Sequence, residues 1–304
     1  MKTILITGGS GLIGGELTKS LQQRGYNVRH LAREKRTRDV EVFTWGIDRQ
    51  EIESGALQGV DVIIHLAGAG VADKRWTEAR KKEILESRTK STLLLSNELK
   101  KGSHNVQSFI CASAIGYYGI DCKGEIYKEE SGPGSDFLAD VTKRWEHITE
   151  AINDQAIRVV TIRTGVVLTA RGGALQEMAR PIKFYVGAPL GSGEQVISWI
   201  HIEDHCNIII KAIEDVQWEG PYNSVAPHPV TNKQFTEAIA KVLGKPLILP
   251  NIPSVVLKGL LGEMSSVVLF GCNVSAAKVM DAGFEFKFVK VEDALRDLLK
   301  GGGA

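Results

Sequence analysis

No run of apolar residues in this 304-residue chain is long enough to cross a bilayer, which excludes a membrane-spanning helix. The opening segment Met1-Lys2-Thr3-Ile4-Leu5-Ile6-Thr7 is short and is broken at once by Gly8 and Gly9, so it does not read as a secretory leader. Cytoplasmic residence with no membrane partner is the expectation. Charge of one sign is missing too. With 37 Lys+Arg against 36 Asp+Glu the formal net charge is +1, too little for a long-range field that would gather nucleic acid or an anionic membrane surface, so any anion must be recognised locally. Cysteine is scarce: Cys111, Cys122, Cys206 and Cys272 are scattered and form no C-x-x-C pair. That spacing indicates no metal site and no redox dithiol, and the four are expected to be buried or incidental thiols in a reducing cytosol. There is no internal repeat and no low-complexity segment, and Gly301-Gly302-Gly303-Ala304 has no side chains to pack and is expected to fray.

What is present is alternation. Short β-branched runs at 3–7, 27–32, 40–45, 61–66, 107–113 and 158–163 are separated by longer helical patterns, such as 11–24 with Leu12, Ile13, Leu17 and Leu21 at helical spacing and the amphipathic 76–101. Six strands in βαβ order predict an α/β fold, a Rossmann doubly wound parallel sheet. After Arg163 the pattern loosens into Gly-rich and Pro-containing connections. Short helical patterns then follow at 231–243, 254–261, 275–282 and 291–300. The expected organisation is a dinucleotide-binding domain over 1–165, with 198–225 packing back onto it, and a smaller α-rich lobe built from 166–197 and 226–304.

Thr7-Gly8-Gly9-Ser10-Gly11-Leu12-Ile13-Gly14 carries glycines at the first, fourth and seventh places of G-x-x-G-x-x-G, after a predicted strand and before a predicted helix. The strand must turn sharply at Gly8, the backbone at Gly11 must approach a pyrophosphate, and Gly14 must let the helix pack on the sheet. The first helical residues, Leu12, Ile13 and Gly14, then present unpaired N–H groups and a positive dipole end to the phosphates. An acid at the end of the second strand would select NAD. Here Arg33 stands at that place, with Lys35, Arg36 and Arg38 close by, and a guanidinium suits the 2′-phosphate of NADP. Glu34 follows one residue later and keeps NAD as the alternative.

Further segments carry a resemblance. Thr7 to Gly14, His65-Leu66-Ala67-Gly68 and Trp199-Ile200-His201-Ile202-Glu203-Asp204 resemble the extended short-chain dehydrogenase/reductase superfamily, in its nucleotide-sugar epimerase and dehydratase branch. More closely, Ala72-Asp73-Lys74-Arg75-Trp76, Ser87-Arg88, Gly116-Tyr117-Tyr118-Gly119, Arg163-Thr164-Gly165-Val166-Val167-Leu168 and Gly220-Pro221-Tyr222-Asn223 resemble the atypical "epimerase family protein" group, which has its own C-terminal domain and no assigned substrate. The resemblance implies Leu66 and Ala67 under the adenosine, Glu83 and Arg88 near the cofactor, and Val167 toward the nicotinamide. It also implies an active-site serine at Ser113.

The departure from that family concerns its Tyr-x-x-x-Lys proton relay. Registering the helix after the fifth strand on Glu146 puts Leu138 and Thr142 at the two positions, and neither can relay a proton. The nearby phenols are Tyr117 and Tyr118, and Tyr117 with Ser113 forms the expected catalytic pair, with Arg88 as the cation that would stabilise a phenolate. Each has a structural alternative: a packing tyrosine, a surface salt bridge of Arg88 with Glu83, and, for His201, a core histidine in place of a substrate contact. Two functions follow. One is an NADP-dependent oxidoreductase or epimerase acting on a small polar or nucleotide-linked substrate; the other is a non-catalytic NADP-binding sensor or scaffold, as some relatives are linked to cell or plastid division. Either a monomer or a homodimer fits, with no nucleic-acid partner.

Overall fold

The computed structural model describes residues 1–35, 40–120, 122, 124–153 and 155–301; Arg36, Arg38 and the tail residues 302–304 lie outside the described residues. In chain order the elements are β1 (Thr3–Thr7), α1 (Leu12–Gln23), β2 (Asn27–Ala32), β3 (Glu41–Gly46), β4 (Glu51–Ile52), β5 (Val62–His65), α2 (Glu78–Lys100), β6 (Ser108–Ala114), β7 (Ile126–Tyr127), α3 (Phe137–Asn153) and β8 (Arg158–Thr164). There follow β9 (Val166–Leu168), α4 (Gly173–Lys183), β10 (Val196–Ile197), β11 (Trp199–His201), α5 (Ile202–Glu214), β12 (Gly220–Ser224), β13 (Val230–Thr231), α6 (Asn232–Leu243), α7 (Ser254–Leu261), α8 (Ser266–Leu269), β14 (Asn273–Val274), α9 (Ala277–Asp281) and α10 (Val291–Lys300).

The central sheet has the order β12-β8-β6-β5-β1-β2-β3-β4, parallel throughout except for the antiparallel β3–β4 pair at one edge. This is the doubly wound topology expected, and the six predicted strands fall within one residue of the observed ends. Two strands of this sheet were not anticipated, β4 and the seventh parallel strand β12. The reason for missing β12 is its sequence, Gly-Pro-Tyr-Asn-Ser, which carries a proline that a central strand rejects. As the outermost strand β12 can leave one side of its backbone unpaired, so Pro221 is tolerated opposite Thr161.

The alternation of side chains explains why both faces of the sheet are covered. Ile4 and Ile6 of β1, Val62 and Ile64 of β5 and Val160 and Ile162 of β8 join one apolar cluster, whereas Leu5, Ile63 and Val159 join another with Leu94, Leu95 and Leu99 of α2 and Trp145 and Ile152 of α3. Successive residues point to opposite faces, and each face finds its own helix layer. The first cluster continues through Ile208 and Ile209 of α5 and Phe235 and Ile239 of α6 to Leu295 and Leu298 of α10, so the helical C-terminal region shares a core with the sheet.

The expectation of four unpaired thiols is overturned. Cys122 and Cys272, 150 residues apart in sequence with Cα atoms 5.2 Å apart, form a disulfide. The pairing is tertiary in origin: β14 lies parallel to β7, with Asn273 opposite Ile126, and this brings the two loops together. Cys111 and Cys206 are free and buried, and burial pushes both thiols up to about 12.

Candidate active site

The turn after β1 is built around missing side chains. Gly8 has φ +72°, and a Cβ on it would lie 3.0 Å from the backbone at Leu66 and Ala67. At Gly14 a Cβ would lie 2.4 Å from the Gly8 carbonyl oxygen, so α1 can reach the sheet this closely only with glycine there. The Gly11 N–H donates to the Gly8 carbonyl at 3.0 Å, and Gly11 caps α1 without a side-chain bond, which leaves the first helical N–H groups at Leu12, Ile13 and Gly14 for a ligand.

The neighbouring segment is pinned by polar groups buried beneath it. The Thr7 hydroxyl accepts the N–H groups of Leu66 and Ala67, each at 3.2 Å, and lies 2.7 Å from Nδ1 of His65. Burial, reinforced by the Arg88 charge, holds His65 down to about 3, so the ring is neutral and Nε2 faces the Thr92 and Ser91 hydroxyls at 3.0 and 3.1 Å. From α2, the Ser87 hydroxyl accepts the Ala69 N–H at 3.0 Å, and Arg88 donates to the Ala69 and Ile84 carbonyls at 2.9 and 3.0 Å.

These segments enclose a crevice of about 770 Å³ at the carboxyl ends of the strands. Gly8, Gly11, Arg33, Leu66, Ala67 and Glu83 line it, so six of the residues expected at the cofactor meet in one place. Leu12, Ile13 and Gly14 form the helix start beside it, and Val167 lies on β9 opposite Ile200 of β11. Sequence reasoning passed over Asp73, Lys74 and Arg80 on the same wall, although Asp73 and Lys74 stand in the quoted Ala72–Trp76 motif. Arg80 is buried, donates to Glu83 at 2.7 Å and to the Gly70 carbonyl at 2.5 Å, and its Nε has no partner among the described residues. Glu83 is held below the usual carboxylate range, chiefly by the Arg80 hydrogen bond, with Lys74 and Arg33 contributing positive charge. Neither Arg33 nor Lys74 has a protein anion as partner among the described residues.

Around the loop after β6 the residues are connected differently from the expectation. Ser113 is buried and donates to Glu146 Oε1 at 2.6 Å. Arg163 of β8 grips the same carboxylate, with Nε to Oε1 at 3.0 Å and Nη2 to Oε2 at 2.8 Å, and burial of the guanidinium is outweighed by these bonds so that its charge is held firmly. Tyr118 is consumed by this network: it accepts from Arg163 at 3.1 Å, donates to Asn223 at 2.7 Å, and is pushed up to about 12 by burial. The Arg163 guanidinium lies 3.6 Å from the centre of the Tyr117 ring. Among the described residues the Tyr117 hydroxyl has no hydrogen-bond partner.

The cation beside Tyr117 is therefore Arg163. Arg88 faces inward, 5.2 Å from the Trp145 ring, and burial next to Arg80 lowers it to about 10. The bland alternative of a salt bridge with Glu83 also fails, since Glu83 pairs with Arg80. His201 takes its structural alternative. It is buried, stacks on Phe288 at 3.8 Å, lies 3.2 Å from Asp297 and caps α5 by accepting the Glu203 N–H. On α3, Leu138 packs at Gly116 and the Thr142 hydroxyl donates to the Leu138 carbonyl at 2.9 Å.

Comparison with known proteins agrees with this architecture. The chain is 36% identical over 307 residues to the chloroplastic epimerase family protein SDR39U1 homologue of Arabidopsis thaliana, covering 98% of this chain and 87% of that protein. It is 35% identical over 306 residues to an epimerase family protein of Staphylococcus aureus, covering 99% and 100%. The crystal structure of human epimerase family protein SDR39U1 (isoform 2) with NADPH superimposes with a TM-score of 0.87 at 29% identity, over 98% of this chain and 99% of that one. Residues 4–225 match the NAD dependent epimerase/dehydratase family and residues 252–298 match a domain of unknown function, DUF1731. By its glycine-framed crevice, its strand order and these matches, the chain belongs to the NAD dependent epimerase/dehydratase family.

Proposed function

We propose that the crevice holds NADPH and that the chain uses it as an oxidoreductase or epimerase of the short-chain dehydrogenase/reductase type, on a small polar or nucleotide-linked substrate. The observation that carries the cofactor reading is the pair of cations, Arg33 and Lys74, brought to one crevice from separate segments. A 2′-phosphate between them would gain charge-assisted hydrogen bonds worth about 1.5 to 3 kcal/mol. The residues fit a dinucleotide in other respects. A side chain at Gly14 would strike the Gly8 and Gly9 backbone and displace the turn whose Gly8, Gly9 and Gly11 line the crevice. The human relative with NADPH supports the same choice.

NADPH, when bound, would supply a hydride, and its oxidised form NADP+ would accept one; the chain's own tasks are to orient the substrate and to move a proton. With Tyr118 committed to Arg163 and Asn223, Tyr117 is the phenol left for that transfer, and the guanidinium on its ring face stabilises negative charge developing on the oxygen. Ser113, locked to Glu146, acts as a positioning residue for the network that holds Arg163. This lock also favours a second reading, a non-catalytic NADPH-binding sensor or scaffold, because a serine so committed is not free to bind substrate.

The test separates the two. Purified protein is analysed by native mass spectrometry for a co-purifying molecule, and NADPH oxidation is followed against that molecule and against small carbonyl compounds and nucleotide sugars. Tyr117→Phe should lower any turnover by about 10² to 10⁴-fold with the fold intact. Full turnover in Tyr117→Phe contradicts the assignment of the phenol, and no oxidation of any substrate by protein that binds NADPH favours the sensor.

A further inference from the structure

The glycine turn offers a diphosphate N–H groups but no cation of its own. From Gly8 to Gly15 there is no basic side chain, and the first charged residue of α1 is an acid, Glu16. Glu16 follows Leu12 by four residues, so the two share one face of the helix and lie about 6 Å apart along its axis. That is inside the Debye length of physiological salt, about 8 Å, so the carboxylate repels a diphosphate held at the N–H groups of Leu12 and Ile13. Left unopposed, Glu16 would work against the helix dipole that favours the anion.

The opposing charge comes from the segment between β9 and α4. There Thr169 is bridged to Gly172, and the Arg171 N–H donates to the Thr169 hydroxyl at 3.3 Å. Gln176 of α4 fastens this loop by donating to the Ala170 carbonyl at 2.9 Å. The loop lies along the same face of α1. A Cβ on Gly172 or Gly173 would lie 3.5 or 3.7 Å from the Leu12 side chain, and the Arg171 guanidinium reaches Glu16 at 3.4 Å. One loop therefore touches both ends of the Leu12–Glu16 face, and its cation stands about one helical turn from the start of α1. The Arg171 side chain is 57% exposed, and so open an ion pair contributes little by itself. Its remaining N–H groups are available to a second anion. The next charges along the two helices are of both signs, Lys19 on α1 and Glu177 and Arg180 on α4, so a single guanidinium and not a basic patch meets the turn.

We propose that Arg171 is a third cation of the cofactor site and serves the dinucleotide's diphosphate, standing between it and Glu16. The inference rests on the reading of the glycine turn as a dinucleotide site. It gives the cations separate tasks: Arg33 and Lys74 answer the 2′-phosphate that only NADPH carries, and Arg171 answers the diphosphate that NADPH and NADH share.

The experiment is calorimetric titration of NADPH and of NADH into the full chain and its variants, at low and high salt. Arg171→Met should weaken both dinucleotides by the same factor, about five- to ten-fold, and Arg171→Lys should recover most of that loss. Glu16→Gln should tighten both by about two- to three-fold. High salt should shrink all three effects. The opposite signs separate this role from a structural one, because either variant breaks the same ion pair and a loss of packing would weaken binding in both. Circular dichroism confirms that the variants are folded. The inference is overturned if Arg171→Met binds both dinucleotides as the wild type does, if it loses NADPH alone, or if Glu16→Gln weakens binding as Arg171→Met does. Arg33→Ala, titrated alongside, keeps the two readings apart. Unchanged binding in Arg33→Ala with equal losses in Arg171→Met would overturn the 2′-phosphate assignment and uphold Arg171, whereas a wild type that binds neither dinucleotide overturns both.

Discussion

At the scale of single residues, the fold depends on which side chains are absent from the first turn as much as on those present around it. Gly14 sits where any Cβ would come within 2.4 Å of the Gly8 carbonyl oxygen and 2.7 Å of the Gly9 Cα. Both contacts are with backbone, so neither can swing aside. Gly14→Ala is expected to force α1 away from the sheet, costing about 2 to 4 kcal/mol by denaturant unfolding and at least ten-fold in NADPH affinity. An unchanged midpoint and affinity would mean that the helix adjusts freely. How legible such residues were depended on whether their role was local. The glycines were readable because their spacing alone implies the turn. The position of Arg33 at the crevice was readable because it follows a strand whose place in the sheet was already inferred. Arg163 was not, since nothing in the sequence tells that its guanidinium crosses from β8 to Glu146 of α3 and onto Tyr117. Arg88 was assigned that place because it sits on the right helix, but the face of α2 that carries it turns toward Trp145.

At the scale of elements, strand content and helix content followed from alternation and helical spacing, while the contacts between distant elements did not. β12 escaped because Gly220 and Pro221 weaken a strand pattern that only its edge position makes acceptable. The Cys122–Cys272 disulfide escaped because it is dictated by the pairing of β7 with β14, two-residue strands that leave no periodic signature. The bond closes a long loop and ties the segment after β6, next to Tyr117 and Tyr118, to the C-terminal region. Cys122→Ser with Cys272→Ser, or treatment of the wild type with a dithiol reductant, is expected to destabilise the protein by about 2 to 5 kcal/mol. The check is thermal unfolding with and without reductant. A midpoint that reductant lowers in the wild type and leaves alone in the double variant agrees with this account; equal midpoints in all four samples contradict it.

At the scale of the whole molecule, the doubly wound sheet brings three separate segments to one crevice. The turn after β1 supplies unpaired N–H groups, the end of β2 supplies Arg33, and the segment before α2 supplies Lys74. The phosphate turn alone would serve any dinucleotide. In the proposed function the two cations would distinguish NADPH from NADH, and would do so without the long-range field that the balanced net charge rules out. The measurement that tests this most directly is calorimetric titration of NADPH and NADH into the wild type, Arg33→Ala and Lys74→Met. The wild type is predicted to bind NADPH at least about ten-fold more tightly than NADH. Each substitution is predicted to weaken NADPH and leave NADH nearly unchanged, so that the preference narrows. Equal affinities in the wild type, or a preference that survives the loss of Arg33, would contradict the account.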